Sequence, residues 1–237
     1  MKSGRWTTQT GSSTYLNEAI AIWARDLRSE FRTRYAVNAI LMFALTTLIA
    51  VSFSIGSFRI GEAEKPFLYA VLLWIILVFS ALSGLSRSFV KEEEAGTMDV
   101  LRLSARPQAV FLGKLFFNLT LLGALGIIIV PSFILLMKYQ IELPGFFAAM
   151  VISAGLGLGA GTTIVAAMIA QASARGALFS ALSFPLLLPL MITAIKGCER
   201  AAVGMNTAGW PEVRIAVAYV VIMIIMSLFL FPLIWEE

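Results

Sequence analysis

Glu92, Glu93 and Glu94 form the longest run of acidic residues in the chain, and Gly96, Thr97 and Asp99 follow closely. Grouped carboxylates serve as general acids or bases, as metal ligands or as ion-pair partners, and their surroundings decide among these. The 237-residue sequence contains no histidine and a single cysteine, Cys198. His-based catalytic triads, HExxH metalloprotease sites and His-ligated haem are thereby excluded within the chain. An internal disulfide, an iron–sulfur cluster and a Cys-rich zinc site are excluded as well. Thr97 is suited to cap a short helix by accepting a backbone N–H, with Asp99 near the positive end of the helix dipole. Met98, Leu101 and Ala105 give that helix an apolar stripe, Arg102 and Arg106 fall toward its C-terminal end, and Pro107 stops it. Such a helix either takes a push from a soluble partner and passes it to its neighbours, or is a charged linker that only holds topology. Spacing alone leaves both open.

The elements that position this segment are membrane helices. Hydrophobic residues make up 59% of the chain and charged residues 14%, against about 45–50% and about 25% in soluble domains. With a mean hydropathy of +0.88, the chain reads as a polytopic membrane protein. About 20 apolar residues cross a hydrocarbon core of about 30 Å, and stretches between charges supply six candidates. These are Tyr35–Phe58, Pro66–Ser86, Leu115–Met137, the long charge-free run Leu143–Ala174, Gly176–Ile195 and Ile215–Trp235. An even number of spans puts both termini on one side. Twelve of the 18 Lys and Arg residues fall on that side and six on the other, which makes the termini and the 87–114 loop cytoplasmic. The net charge of +4 is then a signal of topology and of contact with anionic lipid, not of nucleic acid.

Residues 1–14 form a polar Ser/Thr-rich tail, and residues 35–237 the permease-like membrane domain. Between them, Leu16, Ile20, Trp23, Leu27 and Phe31 recur at helical spacing over residues 15–34, an amphipathic stretch suited to lie in the headgroup plane. Trp23 and the charges Arg25, Asp26, Arg28, Glu30 and Arg32 carry that interfacial helix. An apolar region followed by a small-residue cleavage site is missing, so this is not a signal peptide.

No ATP site is legible. Gly155, Gly157, Gly159 and Gly161 precede Thr162 and Thr163, but the lysine of a Walker A loop is missing and the string lies inside a span. Small residues at spacing four instead allow close helix packing. Pro185 and Pro189 each remove a helix hydrogen bond and should bend or break the fifth span. Lys196, Glu199, Arg200, Glu212 and Arg214 crowd the last outer segment, which is expected to hold a short re-entrant or interfacial element. The six spans contain no charge, which argues against an ion-coupled carrier. Asp26 and Asp99 both fall outside the spans, so an intramembrane aspartyl protease does not fit either.

The acidic cluster, Gly96-Thr97, a hydrophobic residue, Asp99 and a Leu-rich turn together resemble the coupling-helix pattern of ABC-2-type transporter permeases. Four further segments narrow the resemblance to the haem exporter protein B permeases of cytochrome c maturation. They are Arg25-Asp26-Leu27-Arg28-Ser29-Glu30-Phe31-Arg32, Leu82-Ser83-Gly84-Leu85-Ser86-Arg87-Ser88-Phe89, Phe111-Leu112-Gly113-Lys114-Leu115, and the paired prolines of Phe184-Pro185-Leu186-Leu187-Leu188-Pro189-Leu190. The likeness covers about residues 20–235; Ala105, where the family often has proline, departs from it, as do the polar tail and Cys198.

The resemblance implies an all-α, six-span ABC-2-type permease in the bacterial inner membrane, with an interfacial helix before the first span and a coupling helix between spans 2 and 3. It also implies a non-catalytic subunit. A separate cytosolic ATPase of haem exporter A type holds ATP and magnesium, and this chain holds no cofactor. Haem-handling membrane subunits and a haem chaperone complete the complex, so haem is handled by the assembly. Two ATPase subunits closing on each other each need a coupling helix, which implies a homodimer. The transmission residues implied are Glu92, Glu93, Glu94, Gly96, Thr97, Met98, Asp99 and Leu101, the acids pairing with basic groups on the ATPase. An ABC-2 permease for a lipid, a polysaccharide or another small molecule is the competing expectation.

Overall fold

The computed structural model describes residues 12–56, 61–85, 89, 92, 96, 105–169, 175–205 and 210–236. Its elements are α1 (Ser12–Thr33), α2 (Tyr35–Gly56), α3 (Lys65–Leu85), α4 (Pro107–Met137), α5 (Pro144–Met168), α6 (Arg175–Val203) and α7 (Pro211–Glu236). Six of them, α2 to α7, are long and apolar enough to cross a membrane. The protein is an all-α, multi-pass membrane protein.

Local chemistry sets several helix ends. Proline opens α4, α5 and α7, where its missing N–H has no intrahelical role to lose. Lys138 closes α4 in the left-handed region (φ 50°), its N–H bonded to the Ile134 carbonyl. Arg34, at φ 53°, separates α1 from α2 with no intervening loop.

The spans are not equivalent. About two-thirds of the most apolar stretch of α3 and of α5 is buried within the protein, against 22% in α2 and α7. The bundle is therefore built around α3 and α5. α5 packs on α3, α4, α6 and α7, while α2 lies against α3 and α4. The outer helices expose large apolar side chains such as Phe53, Ile127, Leu135 and Phe229, each more than 70% accessible, an apolar belt fit for lipid. Inside, Asn118 of α4 donates to the Thr163 hydroxyl of α5 at 2.8 Å.

Several span boundaries differ from the charge-to-charge reading, that of the sixth span among them, since α7 opens at Pro211 and takes in Glu212 and Arg214. The third span does not begin at Leu115, because α4 starts at Pro107 and takes Lys114 into the helix, where it is 2% exposed. The spans are thus not free of buried charge. The 31 residues of α4 reach about 46 Å at 1.5 Å per residue, longer than the hydrocarbon core, so its first two turns belong to the bundle's rim. The fifth span likewise runs past Lys196 to Val203. Pro185 and Pro189 lie inside α6 without breaking it. The Tyr219 hydroxyl of α7 donates to the Leu186 carbonyl between them at 2.9 Å. Among the described residues of 196–214, the ends of α6 and α7 take the place of a separate re-entrant element.

Candidate functional site

α1 lies along the first turns of α4, and only part of its apolar stripe joins them. Leu16, Ile20 and Phe31 are half or more exposed, whereas Ala19, Ile22, Asp26 and Glu30, on successive turns, are buried. The close approach requires Gly113 on α4. A Cβ there would sit 2.8 Å from the Ile22 side chain and 2.9 Å from the Ala19 carbonyl oxygen. Farther along α4, Trp23 Nε1 donates to Thr120 Oγ1 at 3.0 Å. Helix α1 thus turns Ala19, Ile22, Asp26 and Glu30 to the protein, packs Trp23 and Leu27 partly against it, and leaves Leu16, Ile20 and Phe31 outward.

Buried acids need partners, because an unpaired charge away from water is strongly disfavoured. Lys114 supplies one. Its Nζ lies 2.8 Å from Asp26 Oδ2 and 3.1 Å from Glu92 Oε1. Arg25 closes the group, with its guanidinium 2.9 Å from Asp26 Oδ1 and 2.5 Å from Glu92 Oε1. Among the described residues, two cations and two carboxylates from α1, α4 and the segment after α3 therefore come together in one group. Lys114, Asp26 and Glu92 are nearly sealed, and Arg25 forms the solvent-side rim.

Glu92 does not stand alone in that segment. Phe89, three residues earlier and also helical, is 1% exposed. Its ring packs 5.6 Å from that of Phe231, and Phe231 also meets Phe111 and Trp235. The Lys114 ammonium lies 5.8 Å from the Phe89 ring centre, within the range of a cation–π contact. One face of this turn thus plugs into the bundle through an aromatic ring and a carboxylate. Gly96 follows at φ 63°, in the left-handed region, where a residue with a Cβ is strained.

The far end of the segment is held as well. Arg106 stacks its guanidinium 4.3 Å over the Tyr15 ring. Its backbone N–H is directed at Glu18 Oε2, 3.5 Å away. Both Tyr15 and Glu18 belong to α1. At its other end, Glu30 accepts the Val37 N–H of α2 at 3.0 Å.

Of the acids expected to face a partner, Glu92 is turned inward to Arg25 and Lys114. Burial of its carboxylate against two cations is the physical reason for that difference. Gly96 is exposed at its turn. Glu93, Glu94, Thr97, Met98, Asp99 and Leu101 lie outside the described residues. Of the interfacial set, Trp23, Arg25, Asp26 and Glu30 are drawn into contacts with the protein. Arg28 and Arg32 are exposed and make no ion pair among the described residues. Pro185 and Pro189 sit elsewhere, in α6. Lys114 and Phe89 were not singled out as functional from the sequence. A lone lysine amid Phe111, Leu112, Leu115 and Phe116 was the available signal for the first.

At the opposite end of the bundle, Tyr139 shares its hydroxyl proton between the carbonyls of Pro66 at 3.2 Å and Cys198 at 3.1 Å. Burial pushes its phenol above the ordinary range, with Cys198 and Glu199 adding to the effect. Arg200 and Glu212 pair at 2.6 Å across the α6–α7 junction. Among the described residues, no group of three His, Cys, Asp or Glu side chains is placed to hold a metal ion. The α1 joint is suited to transmitting displacement: fixed charges and a plugged ring link three segments that are far apart in sequence.

Comparison with known proteins bears on which machine this joint serves. A family described as "CcmB protein" matches residues 17–233. The match includes most of α1, from residue 17, all of the bundle up to Leu233, and the segment between α3 and α4. Among curated proteins, "Heme exporter protein B" of Bradyrhizobium diazoefficiens is 25% identical over 198 residues, covering 81% of this chain and 85% of the relative.

Proposed function

Because the chain belongs to the CcmB family of ABC-2-type permeases, we propose that it couples ATP hydrolysis by a separate cytosolic ATPase to haem delivery for cytochrome c maturation. The family is non-catalytic, and ATP and magnesium belong to the partner. The observation that carries this reading is the span of the match, which includes the joint as well as the bundle. The relative's name, heme exporter protein B, supports haem as the cargo or as the load of a chaperone that the complex releases. Haem-handling membrane subunits and that chaperone complete the assembly.

In this reading, Glu93, Glu94, Gly96, Thr97, Met98, Asp99 and Leu101 form the surface that meets the ATPase, and Glu92 anchors it from within. A homodimer gives each of two ATPase subunits one such surface. The excess of Lys and Arg on one side supports a cytoplasmic position for the joint and both termini in the bacterial inner membrane. The exposed Leu16, Ile20 and Phe31 beside Arg28 and Arg32 support α1 lying in the inner-leaflet headgroup layer. Pro185 and Pro189 are the expected flexure of α6.

A haem stain for covalently bound c-type haem, in a strain lacking the gene and in one with it restored, tests the proposal. Loss and return of c-type cytochromes is the expected result. Unchanged cytochromes would transfer the chain to an ABC-2 permease for a lipid, a glycan or another small molecule.

A further inference from the structure

α1 touches the α3–α4 segment from both sides. Near its C-terminal half, Arg25 and Asp26 engage Glu92, directly and through Lys114. Two turns earlier, Tyr15 and Glu18 engage Arg106, where the segment enters α4. Seven to eleven residues of helix separate these two grips, about 10–16 Å. A rigid rod fastened at both ends of a short segment cannot stay still when that segment is pushed. Gly113 brings the rod into van der Waals contact with α4, so motion passes on to a helix that spans the bilayer.

From this geometry we infer that α1 is a strap carrying the displacement of the coupling segment into α4, and that Lys114 is the positioning residue that fastens it. The inference rests on the ATPase-coupled reading above and deepens it. Lys114 touches neither nucleotide nor cargo. It holds Glu92 and Asp26 to one ammonium, so that the segment and the strap move as one body. Phe89 makes the plug directional, because its ring is lodged against Phe231 while the neighbouring carboxylate is held by Lys114. Arg106 fixes the other end through its guanidinium over the Tyr15 ring, a contact that lysine does not match.

Two kinds of role must be separated by experiment. A charge group that only holds the fold would, when removed, lower the amount of protein in the membrane. A transmitting group would leave protein and ATP turnover in place and separate them from the output. The test uses the full chain in its complex with the ATPase, purified into lipid, with magnesium and ATP as the probe. The same variants are assayed in cells for covalent c-type haem. The informative variant is the triple D26N/E92Q/K114M, which removes the three nearly sealed charges together and leaves Arg25 at the solvent-side rim, where water can hold it. K114R is its conservative control.

The triple variant is expected to reach the membrane and bind the ATPase at wild-type levels. It should hydrolyse ATP within about twofold of wild type while mature cytochrome falls about tenfold, the scale on which transmitting residues alter coupling. K114R should keep most of the output. Wild-type output from the triple variant would overturn the inference, as would its absence from the membrane, which marks a scaffold. Equal loss of hydrolysis and output would overturn it too, since the group would then act on the ATPase itself. If deleting the whole gene left c-type haem intact, the functional reading would fail, a result distinct from all of these.

Discussion

The Glu30 carboxylate of α1 accepts the backbone N–H of Val37 in the first turn of α2, at 3.0 Å. An acid from one helix therefore satisfies an orphan donor of the next, at the positive end of its dipole. Replacing the carboxylate by methyl should cost about 1 kcal/mol, as for other lost helix caps. Glu30→Ala is thus expected to loosen the corner and speed tryptic cleavage at the exposed Arg34, whereas Glu30→Gln, which keeps an acceptor, should stay close to wild type. Limited proteolysis of membranes carrying each variant measures this directly.

Gly113 gives a second prediction. A methyl group at that position meets the Ala19 carbonyl oxygen at 2.9 Å, and backbone yields less readily than a side chain. Gly113→Ala should therefore cost about 1–3 kcal/mol through overpacking, and Gly113→Val more. Lower thermal stability with faster tryptic cleavage within α1 is the expected signature; unchanged values for both variants would place α1 farther from α4.

Gly96 is limited by conformation, not by space. Its φ of 63° is left-handed, and no atom of the described residues lies within 4 Å of where a Cβ would stand. Asn tolerates that region better than β-branched residues do. Gly96→Asn should support near-normal c-type haem, Gly96→Val should lower it through about 1–2 kcal/mol of local strain, and Gly96→Pro should abolish it. Immunoblots of the membranes should show all three proteins present.

Tyr139 predicts a response to alkali. Its phenol titrates above the unfolded value of 10.0, chiefly because burial disfavours the phenolate. The neutral form is the one the fold prefers. Its stabilisation is complete below the unfolded value and declines as pH rises through the folded one. Tyr139→Phe loses the donated hydrogen bonds, about 1 kcal/mol near neutral pH, and should also lose that alkaline component. Melting curves of both proteins at pH 8 and 11 should converge at the higher pH.

The membrane architecture was legible because the bilayer imposes a length on every apolar stretch, and Lys and Arg mark most of the ends. Pro66 and Met137 fall within one residue of the observed limits. The misread boundaries came from the same rule. Lys114 looked like the edge of a span, yet a helix opened by Pro107 continues through it. Its partners Asp26 and Glu92 come from distant parts of the chain, so nothing local announces the group. The amphipathic pattern of α1 was visible, but pattern alone did not tell which face meets protein. Small Ala19 and acidic Asp26 prevailed over Leu16 and Ile20, because a tight joint with a buried lysine needs little volume and a counter-charge.

The seal around Lys114 also governs how the joint responds to ionic strength. At physiological salt, mobile ions weaken exposed charge pairs over a Debye length of about 8 Å but scarcely enter a buried one. The Glu62–Lys65 pair, with the carboxylate 88% accessible, dissolves into the electrolyte as salt rises. The contact of Lys114 with Asp26, at 3% and 10% accessibility, does not. Osmotic upshift floods a bacterial cytoplasm with potassium, and a joint proposed to face it keeps its grip where a surface ion pair would let go.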